Sequence, residues 1–352
     1  MKSISFALKE IAEIGKKERK KTVFLIGNTT KVETSDFYLT PVRNYGQVVL
    51  SGVIVYSEKI AKKIAIEVDG LVDYVFVDAE KKISDNNSIS GEPGNIERAV
   101  KEVIKKSIFI SYKSNDLTVD AADAFISEFY SSDLVGIGGR KVSIIGAGNI
   151  GSKLAQKLVE WGANVHLFRR DREKLDLIVK QINMIKSDFT IAKAFSATSI
   201  KEACLGSDIL IGASDGLPVI DESIIDFLPD HSLLIDIGKG SISTEAIKIA
   251  GLRKLEIYRL SIESALEGLV VSLISTHEVL SKRTGRGFYH NYQIVSGGLL
   301  AHKDEIVVDN YRNPTSVYGV GNGAGDFMRN PEKEVKNKLE LLKKLLKESL
   351  KK

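Results

Sequence analysis

The stretch 141-KVSIIGAGNIGSKLAQKLVEWGANVHLFRR-170 decides the fold. Lys141-Val142-Ser143-Ile144-Ile145, with Val142, Ile144 and Ile145 β-branched and apolar, reads as a buried strand. Gly146-Ala147-Gly148-Asn149-Ile150-Gly151 follows at once, and Leu154, Ala155, Leu158 and Val159 then recur at helical spacing up to the stop at Gly162. A second apolar run begins at Asn164 and ends at Phe168. A G-x-G-x-x-G by itself often marks only a turn. Between a strand and a helix, with a second strand beyond, it predicts a dinucleotide-binding βαβ start. Gly146 would make the tight turn, Gly148 would let the backbone approach a pyrophosphate, and Gly151 would let the helix sit close to the strand. Asn149 and Ile150 would open the helix, whose unpaired N–H groups face the phosphates.

The end of the second strand selects the cofactor. An Asp or Glu there would bind the ribose hydroxyls of NAD. The position holds Arg169, followed by Arg170. Guanidinium groups pair with a 2′-phosphate that a carboxylate would repel, so the expectation favours NADP over NAD. Two further strands, 207–212 and 233–237, end in Ala213-Ser214-Asp215-Gly216 and Gly238-Lys239-Gly240. Ligands of open α/β sheets sit beyond the carboxyl ends of strands, which puts Ala213, Ser214 and Gly238 on the nicotinamide side.

Composition narrows the class without choosing an activity. The chain has 352 residues, enough for two or three domains, and a net charge of +4. Residues 331–352 contain eight Lys and four Glu, which alone supply that excess, so charge makes no case for nucleic acid. Cys204 is the sole cysteine, which excludes an internal disulfide framework and any multi-cysteine metal site. His166, His231, His277, His290 and His302 show no metal-ligand spacing, so no metal is expected. No apolar run approaches the ~20 residues that span a bilayer. The first 22 residues lack a signal-peptide pattern. These readings point to a cytoplasmic enzyme with a small-molecule substrate, and to no nucleic acid or membrane partner.

Around the central stretch, strand-like and helix-like segments alternate. Strands are expected at 22–26, 48–56, 73–77 and 107–112, with helices at 59–68, 95–105 and 120–130. Gly136-Ile137-Gly138-Gly139 reads as a domain boundary. The expected organisation is an N-terminal α/β substrate domain over 1–135, a Rossmann domain over 136–260 and a C-terminal segment over 261–352. The last segment should hold a helix at 262–282, strands at 305–308 and 316–320, and a final amphipathic helix. Val335, Leu339, Leu342 and Leu346 form that helix's apolar stripe, which suits a packing role or a homodimer interface.

The strand–loop SDILIGASDGLPVI, 207–220, followed by LLIDIGKG, 233–240, resembles the cofactor domain of methylenetetrahydrofolate and methylenetetrahydromethanopterin dehydrogenases. Residues 107–240 also resemble shikimate dehydrogenase and glutamyl-tRNA reductase, in which a basic motif comparable to Phe168-Arg169-Arg170-Asp171-Arg172 ends the second strand. The resemblance implies an N-terminal substrate domain, a Rossmann domain and an active site in the cleft between them. In shikimate dehydrogenase an Asp of an Asn-Thr-Asp-Gly motif works with a Lys, and Asp120 is the nearest match here, though its flanking residues differ. Redox chemistry at a C–O or C–N bond needs a group that moves a proton or stabilises charge. Lys113, beside Asp116 or Asp120, and Lys239 are the candidates. Against them stand plainer roles, Asp120 as a helix N-cap and Lys113 as a solvated cation. Three functions fit: an NADP-dependent oxidoreductase, a lyase, isomerase or synthase that retains its nicotinamide cofactor, and a non-catalytic nucleotide sensor.

Overall fold

A computed structural model describes residues 3–29, 35–83 and 94–349. The chain divides into two compact units, Met1–Leu269 and Val270–Lys352.

The first unit opens with α1 (Ile4–Glu18), which Ser3 caps by accepting from the Phe6 N–H. Next come β1 (Lys21–Asn28), β2 (Phe37–Leu39), β3 (Arg43–Asn44), β4 (Val48–Val55), α2 (Glu58–Val68), β5 (Tyr74–Asp78), α3 (Ile96–Lys101), β6 (Ile108–Tyr112) and α4 (Ser114–Phe129). The strand order is β2-β4-β1-β5-β6, with β3 also paired to β4. β4, β1, β5 and β6 are parallel, whereas β2 and β3 run antiparallel along the β4 edge. Parallel strands covered on both faces need continuous apolar runs. Every residue of β5 is buried, as are all but Ile54 in β4. The chain leaves β1 for β4 on one side and returns through β5 on the other. The β1–β5 seam is therefore a topological switch point.

A second sheet follows. It comprises β7 (Lys141–Ile145), α5 (Asn149–Glu160), β8 (Asn164–Phe168), α6 (Arg172–Ile185), β9 (Ala194–Ser196), α7 (Ile200–Cys204), β10 (Ile209–Gly212), α8 (Glu222–Ile225), β11 (Leu233–Asp236), α9 (Thr244–Leu252) and β12 (Glu256–Arg259). All its pairings are parallel, in the order β9-β8-β7-β10-β11-β12. Numbered within the sheet this is 3-2-1-4-5-6, the Rossmann order. The fold is thus α/β with two parallel-centred sheets, as the alternation of elements led one to expect.

One helix belongs to both layers. α4 leaves β6, yet Val119, Ala122 and Ile126 lie in the same core as Val142, Leu154, Leu158 and Ile211. Its Phe125 ring stands 5.0 Å from that of Tyr258 in β12. α4 begins at Ser114, six residues before the expected start at Asp120. Asp120 therefore sits inside the helix and is not its N-cap. The early start has a tertiary cause. The Ser114 and Asn115 N–H groups are accepted by Asp78 Oδ1 (3.3 Å), at the end of β5, and Glu80 Oε2 (2.9 Å), in the loop after it.

The second unit contains β13 (Arg286–Tyr289), β14 (Tyr292–Ser296), β15 (Lys303–Val308), β16 (Val317–Asn322) and α11 (Lys333–Ser349), after the end of α10 (Glu263–Glu278) and one wider turn, Val279–Arg283. The expected strands appear here as β15 and β16, while β13 and β14 form a hairpin that sequence periodicity did not show. Leu342 and Leu346 pack with Ile294, Ile306 and Val308, and Leu339 lies against the same cluster. The stripe of α11 is thus covered by the sheet of its own unit.

Candidate functional site

Three loops meet at the carboxyl edge of the second sheet. The first is the glycine turn after β7. Gly146 adopts φ +115°, and a Cβ on it would stand 2.5 Å from the Ala213 backbone. Its turn is closed by hydrogen bonds from the Gly146 and Ala147 N–H groups to the Phe168 carbonyl (3.0 and 3.3 Å). A Cβ on Gly151 would collide with the Gly146 carbonyl oxygen, so that glycine brings α5 onto the turn. Gly148 differs, because a Cβ there would meet nothing within 4 Å. It caps α5 without any side-chain hydrogen bond, and Asn149 and Ile150 start a first turn that has no acidic residue. The backbone here faces open space with a helix N-terminus behind it. These residues fit a pyrophosphate.

The second and third loops, after β10 and β11, are joined to each other. Ala213 donates to the Ile145 carbonyl (2.8 Å), and Gly238 to the Gly212 carbonyl (3.1 Å). Ser214 Oγ lies 2.9 Å from Ser241 Oγ, and a Cβ on Gly238 would strike the Ser214 carbonyl oxygen. Asp236, buried at the end of β11, accepts from the Gly240 and Ser241 N–H groups at 2.8 and 3.1 Å. Lys239, between these glycines, is exposed and holds φ +55°. A left-handed backbone at a non-glycine residue away from a helix end is strain worth about 1 kcal/mol or more.

Arg169 is half-buried at the end of β8 and donates from Nη1 to the Ala147 carbonyl at 2.8 Å. Arg170 is exposed. Asp171 caps α6, and Arg172 donates to the Ala197 carbonyl at 2.9 Å, so the third arginine is engaged in the fold. Gly146, Gly148, Asn149, Ile150, Gly151, Arg169, Ala213, Ser214 and Gly238 thus come together at one edge, with Arg170 beside them.

Of the expected proton-handling residues, two lie along α4. Lys113 is exposed at the start of α4, 3.7 Å from Asp116. Asp116 also pairs with Lys153, and that hydrogen-bonded ammonium holds its carboxyl below the usual carboxylate range. Asp120 lies 3.1 Å from Lys157, which also meets Asp123 at 3.0 Å. Burial works against the Lys157 ammonium, but its bonds to Asp123 and Asp120 outweigh this and raise its pKa. Trp161 Nε1 donates to Asp123 at 2.9 Å. Residue numbers rise together along these contacts, so α4 and α5 run parallel, with their N-termini at the same end. Asp120 belongs to this helix pairing, and Lys239 lies with the nucleotide loops.

A polar group that the sequence reading did not single out stands at the head of α4. Lys82 reaches Glu80 (2.9 Å), Asp78 (3.3 Å) and the Ser114 hydroxyl. The available signal was a charged residue, Asp78, ending the otherwise apolar run Tyr74–Asp78. Among the described residues, no group of three or more His, Cys, Asp or Glu could hold a metal ion, and no helix is long and apolar enough to cross a membrane.

Residues 141–240 match the protein family described as "NADP oxidoreductase coenzyme F420-dependent". No curated protein sequence matches the chain. Among solved structures, one of the subunits of dipicolinate synthase from Bacillus halodurans is similar at 15% identity and a TM-score of 0.37, over 73% of this chain and 97% of that one. L-tryptophan dehydrogenase from Nostoc punctiforme is similar at 14% identity and 0.41, over 64% and 62%. A hetero-hexameric glutamate dehydrogenase from Thermus thermophilus is similar at 11% and 0.45, over 75% and 70%.

Proposed function

We propose that the protein is an NADP-dependent oxidoreductase that acts on a small polar metabolite held between the carboxyl edges of its two parallel sheets. The reading is supported chiefly by Gly148, where an open backbone and an uncapped helix N-terminus meet in a sheet of 3-2-1-4-5-6 order. The match of residues 141–240 to an NADP oxidoreductase family agrees with it. So does the likeness of 107–240 to the two-domain folate, shikimate and tRNA-reductase enzymes.

In this reading the N–H groups at the start of α5 hold the pyrophosphate, and Arg169 and Arg170 hold the 2′-phosphate. The Ala213–Ser214 and Gly238–Lys239 loops flank the nicotinamide. Bound there, the cofactor supplies or accepts the hydride. α4 covers the second sheet on the α5 face as far as β12, so its N-terminus stands on the nicotinamide half of that edge. Lys113 and Lys239 are the groups placed to move a proton near a substrate heteroatom, and Asp116 orients Lys113. Asp120 acts through the α4–α5 pairing.

Fluorescence titration with NADPH, followed by a turnover screen over small carbonyl and imine compounds, tests the proposal. Binding with consumption of NADPH is expected. A chain that binds neither NADPH nor NADH overturns it.

A further inference from the structure

The switch point of the first sheet carries a buried acceptor that has no donor among the described residues. β1 ends in Asn28, which is 6% exposed. Ile26 pairs with Val77, so Asn28 and Asp78 end neighbouring strands on either side of the seam. The Asn28 Nδ2 donates to the Glu80 carbonyl at 2.8 Å, while its Oδ1 has no partner among the described residues. A buried acceptor without a donor is rare in folded proteins and calls for a partner.

The Lys82 and Ser114 donors near it are already committed. An ammonium has three N–H groups. Those of Lys82 meet three acceptors: Asp78, Glu80 and Ser114. The Ser114 hydroxyl donates to Asp78 at 2.6 Å. The cluster of Asp78, Glu80 and Lys82 bears one negative charge in excess, and among the described residues Asn28 Oδ1 is an idle acceptor beside it. A carboxylate or phosphate would meet that excess charge and the lone pairs of Asn28 Oδ1. A nitrogen carrying hydrogens would find a partner and a favourable field.

The head of α4 also lies level with the start of α5. Asp116 faces Lys153, so Ser114 stands about level with Gly151 on the neighbouring helix.

We infer that the β1–β5 switch point binds an amino or ammonium group through Asn28 Oδ1, in the field of Asp78 and Glu80, which makes the metabolite an amine. Its role as substrate site rests on the oxidoreductase reading, whereas amine binding itself does not.

Isotope-labelled asparagine in the full chain tests it, with the Asn28 side-chain amide signal identified by its loss in Asn28→Ser. Methylammonium should shift that signal saturably in the wild-type chain, and acetate over the same range should not. Glu80→Gln, which removes the excess charge but keeps the shape, should weaken methylammonium binding at least about tenfold. No saturable shift with methylammonium, or an equal one with acetate, overturns the inference. NADPH fluorescence on the same samples separates the two readings. Loss of NADPH binding alone removes the oxidoreductase proposal and leaves an amine site.

Discussion

Arg169 Nη1 donates to the Ala147 carbonyl at 2.8 Å, joining the end of β8 to the middle of the glycine turn. The bond occupies one N–H of a guanidinium that has five, so the rest remain for a phosphate. In the proposed reading it also holds the charge beside the adenosine ribose.

Arg169→Asp should therefore weaken NADPH binding by about tenfold or more, since one attractive charge is replaced by a repulsive one. NADH binding should fall much less. Parallel fluorescence titrations check this, and equal losses would remove the 2′-phosphate assignment.

The turn's glycines should separate folding from binding. Gly148→Val adds a side chain where no atom lies within 4 Å, so the melting temperature should hardly change while NADPH affinity collapses. Gly146→Ala forces a side chain onto φ +115° and against Ala213, so stability should drop by about 1–3 kcal/mol. Denaturant titrations beside nucleotide titrations give both numbers. A stable, tightly binding Gly148→Val chain would refute the phosphate placement.

Lys239 is held at φ +55° between two glycines. Replacing it with glycine should relieve about 1 kcal/mol of strain and raise thermal stability. If its ammonium serves the reaction, Lys239→Gly should at the same time lower kcat, and Lys239→Arg should restore part of it. Unchanged kcat in Lys239→Gly would remove the lysine from the chemistry.

Asp120→Asn tests a structural assignment against a catalytic one. Its pair with Lys157 is half-exposed, and such pairs contribute roughly 0.2–1 kcal/mol. A small loss of stability with unchanged turnover is expected. A drop of a hundredfold or more in turnover, about 2.7 kcal/mol of barrier, would return Asp120 to the active site.

The Cys204 thiol is pushed up to about 12 by burial, against the opposing pull of Lys141. In the unfolded chain it ionises near its ordinary value of 9.0. Below that pH both states keep the proton and stability is unaffected. Above it only the unfolded state loses the proton, so stability falls as pH rises toward the folded value, by up to about 1.4 kcal/mol per pH unit. Denaturation curves of wild type and Cys204→Ser should diverge in this window, and parallel curves would contradict the burial.

Legibility followed locality. The 141–170 stretch could be read because strand, turn and helix are each written in adjacent residues, and the three glycines occupy the positions that local sterics demand. The start of α4 could not be read, because the groups that cap it, Asp78 and Glu80, lie more than thirty residues upstream. For the same reason Asp120 passed for an N-cap, being a good capping residue type in the wrong turn. The β13–β14 hairpin escaped because Gly285, Gly287 and the positive-φ pair His290-Asn291 break the alternation that marks a strand. Lys82 drew no attention because Ser114, the partner that ties it to the head of α4, lies 32 residues away.

The shared helix sets a fixed gauge between the two edges. α4 grows out of the first sheet and beds into the core of the second, so neither sheet can swing away without dragging α4 across α5. Sliding it by one turn would carry Ser114 about 5.4 Å along the axis. A single residue inserted within α4 would rotate everything before it by about 100° relative to everything after it. Added length between Phe129 and Lys141 leaves that gauge untouched, so this connection can lengthen where the helix cannot.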